Sequence, residues 1–284
     1  MILMSDSRFD RNIRFFGKEG QQRLAETHVV IVGVGGLGTH VVQQLSLLGV
    51  GRLTLIDDEE IDVTNRNRYI GVRYDDPIPG TLKVDIGERL AKEIDPGIKV
   101  EKIPQSLRSE PAFEAVIRGG YVFGCLDNEG ARLILNELCM AYSKPYFDLA
   151  SDIPSGDSYG GRICVAWQGQ GCIYCYSELN ASEAQADLET PEARRNRDAI
   201  YGVSRENLDL KGPSVVSING VVASLAVTEF MLGVTGIRTP KSFCSYYGHT
   251  VKITFKHDPE PNCYYCKGIK GKGRKAGVQR YLKI

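Results

Sequence analysis

The sequence has no excess of charge of either sign, because 35 Lys and Arg residues balance 35 Asp and Glu. No global field therefore draws the chain to nucleic acid or to an anionic membrane, and any electrostatic function must be local. It also lacks a run approaching the roughly 18 apolar residues expected of a spanning helix. The opening Met1-Ile-Leu-Met4 gives way at once to Ser5, Asp6, Arg8 and Asp10, without the apolar stretch of a signal peptide. No internal repeat is present, and the four histidines, His28, His40, His249 and His257, form no ligand-spaced cluster. These absences predict a cytosolic (cytoplasmic), soluble protein with neither a membrane nor a nucleic-acid partner. In that reducing setting, eight cysteines point to metal binding or catalysis in preference to disulfides.

What is there is enough apolar content, 42 % of 284 residues, for one large α/β domain or two small ones. Residues 5–27 carry Phe9, Ile13, Phe15, Phe16 and Leu24 at loosely helical spacing, which makes 1–27 an amphipathic arm ahead of the core. His28-Val-Val-Ile-Val-Gly33 reads as a buried parallel strand, the glycine loop Gly33-Val-Gly35-Gly36-Leu-Gly38 follows, and 39–48 reads as a helix. A second strand over 51–57 completes a βαβ unit. Helices at 83–94, 110–117 and 131–142 alternate with strands at 99–103, 121–125 and 145–149. The expected fold is therefore α/β, a Rossmann-like, mostly parallel sheet with helices on both faces. A strand at 162–167, a long apolar helix over 215–232 ended by Gly233, and an antiparallel strand or hairpin over 243–255 follow. The polar stretch within 176–213, with Pro191 and Arg194-Arg195-Asn196-Arg197, reads as a crossover or insertion. The glycine-rich basic segment 267–284 reads as a flexible tail.

A glycine loop between strand and helix turns backbone N–H groups toward an anion, and the helix dipole adds positive potential there. Asp57 closes the second strand, where an acid can accept hydrogen bonds from ribose hydroxyls. Both features suit a dinucleotide oxidoreductase equally well. Asn65, Arg68, Lys83 and Asp127 discriminate, since all should converge above the same sheet edge. Two cations and an amide beside a triphosphate suit adenylyl transfer, in which charge develops on the α-phosphate and on departing pyrophosphate. Asp127 could hold Mg²⁺ through oxygen coordination. Cys172-Ile-Tyr-Cys175 and Cys263-Tyr-Tyr-Cys266 each fit half of a four-cysteine tetrahedral zinc site, closed to water and hence structural.

Arg8-Phe-Asp-Arg11-Asn-Ile, Val32-Gly-Val-Gly-Gly-Leu-Gly38, Leu53-Thr-Leu-Ile-Asp57, Thr64-Asn65-Arg66-Asn67-Arg68, Lys83, Cys125-Leu-Asp127-Asn128 and the paired CxxC together resemble the ThiF/MoeB family. The resemblance spans residues 8–266 and makes 28–266 an adenylation domain related to the ubiquitin-activating enzymes. It implies ATP-dependent adenylation of the C-terminal glycine of a ubiquitin-like or sulfur-carrier protein. Gly36, Asp57, Asn65, Arg68, Lys83 and Asp127 match the family's ATP-site positions, with Gly33, Gly35, Gly38 and Asn128 beside them. Arg11 matches an arginine that reaches the neighbouring subunit's active site in homodimeric relatives, so a homodimer is implied, and the four cysteines match zinc ligands. A conjugating enzyme or a sulfurtransferase would be a downstream partner. One departure stands out: many relatives carry a nucleophilic cysteine after the first zinc pair, whereas residues 176–243 contain none. A non-catalytic half of a heterodimeric activating enzyme is the other reading, against which Arg68, Lys83 and Asp127 are all present.

Overall fold

The computed structural model describes residues 7–168, 171–189, 212–256 and 258–282. Eight strands form one sheet in the order β3-β2-β1-β4-β5-β6-β7-β8. Strands β1 (His28–Val32), β2 (Arg52–Ile56), β3 (Lys99–Ile103), β4 (Tyr121–Gly124) and β5 (Tyr146–Ser155) run parallel. From β5 onward, β6 (Ser158–Ala166), β7 (Phe243–Tyr247) and β8 (Lys252–Lys256) are antiparallel. Tight connections force the antiparallel pairing of β5 with β6 and of β7 with β8, while parallel neighbours need a helical crossover.

The chain winds outward through β1, β2 and β3 and then returns to place β4 on the other side of β1. This reversal leaves a crevice above the carboxyl ends of β1 and β4, where open α/β sheets bind their ligands. Alternation along the central strands feeds two apolar layers. Val30 and Val32 join the layer holding α4 (Glu110–Arg118) and α5 (Glu129–Ala141). Val29 and Ile31 join the layer holding α2 (Gly36–Leu48), α3 (Lys83–Ile94) and α7 (Val216–Thr235). Under α7, Phe123 stacks on Phe147 at 4.7 Å, and Phe230 meets both edge-on at 5.6 and 5.9 Å.

By length and composition α7 could cross a membrane, which revises the reading of no spanning-length segment; Ala223, Ala226 and Phe230 nevertheless bury one side of it against the sheet layer. Gly233 does not end this helix. A Cβ there would stand 2.7 Å from Pro240 and 2.8 Å from Trp167, so that glycine permits close packing, and Gly236 in the left-handed region caps the helix instead.

Two segment expectations change. The N-terminal arm is a helix, α1 (Asp10–Glu26), interrupted at Gly17, but its second half is part of the core. Leu24 is fully buried, and Arg23 donates to the Thr235 carbonyl at 3.0 Å. The expected flexible tail is also corrected: short turns at Tyr264–Ile269, Gly273–Ala276 and Val278–Tyr281 lie along α5. Ile269 and Val278 are buried in the α5 layer, and Arg280 pairs with Glu137 at 2.5 Å. Composition reports the segment's own polarity and misses the apolar face of α5 that these two residues cover. In the expected insertion, α6 (Ala181–Leu188) is helical, while 190–211, with Arg194, Arg195 and Arg197, lies outside the described residues.

Candidate active site and cysteine cluster

Gly33 ends β1 in the left-handed region, and a Cβ there would approach the Cys125 carbonyl to 2.5 Å. A Cβ on Gly38 would collide with the Gly33 carbonyl, so this glycine lets α2 lie close upon the strand that precedes it. Gly35 precedes α2 with no side-chain cap. The first N–H groups of α2 therefore remain available to an anion in the crevice. Asp57, one residue past β2, ties this loop down: Oδ2 accepts the Val34 N–H at 2.7 Å and Oδ1 the Glu59 N–H at 3.0 Å. Burial pushes the Asp57 pKa up, while the Lys83 charge and the two N–H groups pull against that rise.

Lys83 opens α3 with 6 % of its surface exposed. Burial disfavours its ammonium, but the Asp57 charge and the Glu59 carboxylate outweigh that and hold its pKa above the ordinary value. Lys83 and Arg68 both lie against Tyr69, 5.6 and 5.5 Å from the ring centroid. Asn65 does something other than expected. Its Oδ1 accepts the Asp62 N–H at 3.1 Å and its Nδ2 donates to Asp62 Oδ2 at 3.0 Å, closing a capping box over Val63–Asn67. The residue thus builds the turn that presents Arg68 and is absent from the cleft lining. Across the crevice Asp127 is exposed at the cleft wall, and Asn128 caps α5 by accepting the Ala131 N–H at 2.8 Å. Arg11 lies exposed on α1 and lines no part of the cleft.

The cleft, about 980 Å³, extends past the glycine loop over the β5–β6–β7 end of the sheet. Here lies a buried charge network that sequence reading missed. Asp148, fully buried on β5, accepts from Arg132 at 2.9 Å, from Arg162, and from the Tyr146 hydroxyl at 2.8 Å. Burial alone would raise the Asp148 pKa, yet the two guanidinium charges hold it below the usual carboxylate range. Arg132 also donates to the Leu126 carbonyl at 2.6 Å, and Arg162 pairs with Glu178 at 2.8 Å. The signal was present: a lone acid inside Tyr146-Phe-Asp-Leu-Ala must be paired if that strand is buried.

On the α5 side of the sheet, Cys172 precedes the turn Ile173–Tyr176 and Cys175 lies within it, and Cys263 and Cys266 belong to the segment that starts the C-terminal turns. Their four Sγ atoms lie within 4.8 Å of one another, with pairs at 3.8, 3.6 and 3.5 Å. A tetrahedral thiolate site with metal–sulfur bonds of about 2.3 Å has sulfur–sulfur edges of about 3.8 Å. The cluster therefore fits a metal ion and leaves it no open position. Cys139, Cys164 and Cys244 are buried core thiols. Burial raises the pKa of each, that of Cys244 to about 11, and likewise that of Cys125 beneath the glycine loop.

A model of the ThiF family matches residues 9–268. Over 225 residues the chain is 30 % identical to the sulfur carrier protein ThiS adenylyltransferase of Escherichia coli, with 78 % of each chain covered. Over 260 residues it is 31 % identical to the adenylyltransferase and sulfurtransferase UBA4 of Lodderomyces elongisporus, covering 89 % of this chain and 52 % of that one. The chain thus spans about half the length of that second relative. The fold is shared with E. coli MccB, solved with ATP, at a TM-score of 0.71 and 22 % identity over 92 % of this chain and 74 % of that one. The family model and the similarity over 78 % of each chain agree with the glycine loop and the cation-lined crevice: the chain belongs to the ThiF family and is, like its curated relatives, an adenylyltransferase.

Proposed function

We propose that the chain adenylates the C-terminal carboxylate of a ubiquitin-like or sulfur-carrier protein, using ATP and releasing pyrophosphate. The observation that carries this reading is one continuous cleft with two different halves. One half offers the uncapped N-terminus of α2 with Arg68, Lys83 and Asp127; the other offers hydroxyls and amides from Ser151 to Tyr246, with Arg132 and Arg162 already paired to Asp148. A triphosphate suits the first half. An extended peptide tail suits the second, where the arginines are engaged by Asp148 and Glu178 and so do not hold its carboxylate away from phosphorus.

In the bound state the glycine loop cradles the phosphates and Asp57 meets the ribose. Arg68 and Lys83 offset charge that builds on the α-phosphate and the leaving pyrophosphate. Asp127, with its carboxylate at the cleft wall, would hold Mg²⁺, which supplies charge neutralisation at the phosphates. Arg11, exposed and absent from the lining of its own cleft, would serve the cleft of a second copy in a homodimer. Zinc in the cysteine cluster would be structural, since four thiolates complete its shell. Eight unpaired thiols suit a reducing cytosol. A nicotinamide-dependent reaction would leave Arg68, Lys83 and Asp127 without a role.

Among the described residues, no exposed thiol outside the cysteine cluster stands ready to take the acyl group. The reaction on this chain thus ends at the acyl-adenylate, which a sulfurtransferase or a conjugating enzyme would consume. The test is exchange of labelled pyrophosphate into ATP. Exchange that depends on a ubiquitin-like protein, with E. coli ThiS among those tried, is expected. Its absence across a broad panel of such proteins overturns the reading.

A further inference from the structure

Asn219 occupies the first turn of α7, in the run Val215-Val-Ser-Ile-Asn-Gly-Val-Val, with 1 % of its surface exposed. Burying an amide in such a helix is costly unless each polar atom is answered. Its Oδ1 accepts from Ser151 Oγ at 2.7 Å, and its Nδ2 donates to Ser214 Oγ at 3.1 Å. Nδ2 carries a second hydrogen, and no further acceptor for it appears among the described residues. The same nitrogen stands 2.5 Å from where a Cβ on Gly36 would be. Gly36 must therefore be glycine not for its backbone angles but because an amide from the other half of the cleft reaches the first residue of α2.

Asn219, Ser151, Ser214 and Gly36 all line the cleft. The Ser151 hydroxyl fixes which way the amide faces, because it donates to the oxygen and so turns the nitrogen toward the glycine loop. A neutral donor at the boundary between phosphate and acyl halves has a specific use. It can hold a carboxylate by one oxygen without neutralising it as a cation would, which leaves the other oxygen nucleophilic.

We infer that Asn219 Nδ2 grips the non-attacking oxygen of the acyl donor's terminal carboxylate, placing the other oxygen in line with the α-phosphorus. This rests on the adenylation reading above. One carboxylate oxygen forms the new bond to Pα, and the bond from Pα to the bridging oxygen breaks. Pyrophosphate leaves with that electron pair, and the gripped oxygen remains as the carbonyl of the acyl-adenylate. Asn219 is thus in contact with substrate before and after the step, while Ser151 is a positioning residue acting through it.

The test compares binding of AMP with that of 5′-O-(N-glycylsulfamoyl)adenosine, a stable mimic of the smallest acyl-adenylate, by titration calorimetry. The affinity ratio cancels losses common to both ligands. The wild-type protein is expected to prefer the acyl mimic. Asn219→Ala and the isosteric Asn219→Asp should each reduce that preference about tenfold or more, the usual effect of losing one such hydrogen bond. Ser151→Ala should reduce it by a smaller factor. If both Asn219 variants bind AMP and keep the full preference, the assignment is wrong while the adenylation reading stands. A wild-type protein with no preference for the mimic overturns the adenylation reading and the assignment with it.

Discussion

Arg132 donates to Asp148 Oδ2 at 2.9 Å and, through its other terminal nitrogen, to the Leu126 carbonyl at 2.6 Å. A fully buried ion pair thus holds the residue immediately before Asp127. Replacing Asp148 by Asn leaves two guanidinium groups facing each other without their anion. Breaking a buried pair in this way costs about 3–5 kcal/mol. Urea unfolding should register a loss of that order, and pyrophosphate exchange should fall as the Asp127 loop loosens.

The same carboxylate sets an acid limit. In the unfolded chain an aspartate titrates near pH 3.9, and in the fold the two arginines hold Asp148 below that. A depressed carboxylate contributes stability that is complete above the unfolded value and is lost as pH falls through the folded one. Below about pH 4 the wild-type protein should therefore lose stability faster than Asp148→Asn. Parallel unfolding curves for the two proteins across that range would remove Asp148 from the account.

Lys83 and Asn65 separate direct from indirect contributions. Lys83→Ala removes a charge from the phosphate half of the cleft, and a loss of roughly 10²-fold or more in exchange rate is expected. Asn65→Ala instead opens the capping box over Val63–Asn67, costing about 1 kcal/mol, and lowers exchange by displacing Arg68. Thermal unfolding alongside exchange distinguishes them. An Asn65→Ala protein of unchanged stability but without exchange would make Asn65 a phosphate contact after all.

The sites legible in the sequence are those where a strand ends or a helix begins. Gly33, Asp57, Lys83 and Asp127 each mark such a boundary, and strands at 28–33, 51–57 and 121–125 read correctly because buried parallel strands are continuous apolar runs. The start of α2 was read at 39 although the helix begins at Gly36; glycine is a poor helix former, and here the strand-to-helix turn and Asn219 demand it. Asp148 and Asn219 were missed because each sits inside an apolar run. What justifies them lies 14 and 16 residues away for the Arg162 and Arg132 partners of Asp148, and 68 residues away for the Ser151 partner of Asn219. Such pairs exist only once β5, β6, α5 and α7 have come together.

The C-terminal turns depend on the cysteine cluster, and this can be tested apart from catalysis. Cys263 and Cys266 start the segment whose Ile269 and Val278 cover α5, and α5 begins at Glu129, right behind Asp127 and Asn128. One tightly bound zinc per chain is expected by elemental analysis. Removing it with a chelator, or replacing Cys263 by Ser, withdraws a fold-linked binding energy of several kcal/mol. For a chain of this size a loss of about 5 kcal/mol corresponds to a fall of roughly 10–20 °C in Tm. Hydrogen exchange should rise first in 264–282 and in α5, ahead of β1 and β2. A metal-free protein with unchanged Tm and unchanged exchange in α5 would show that the apolar contacts of Ile269 and Val278 hold these turns without the metal.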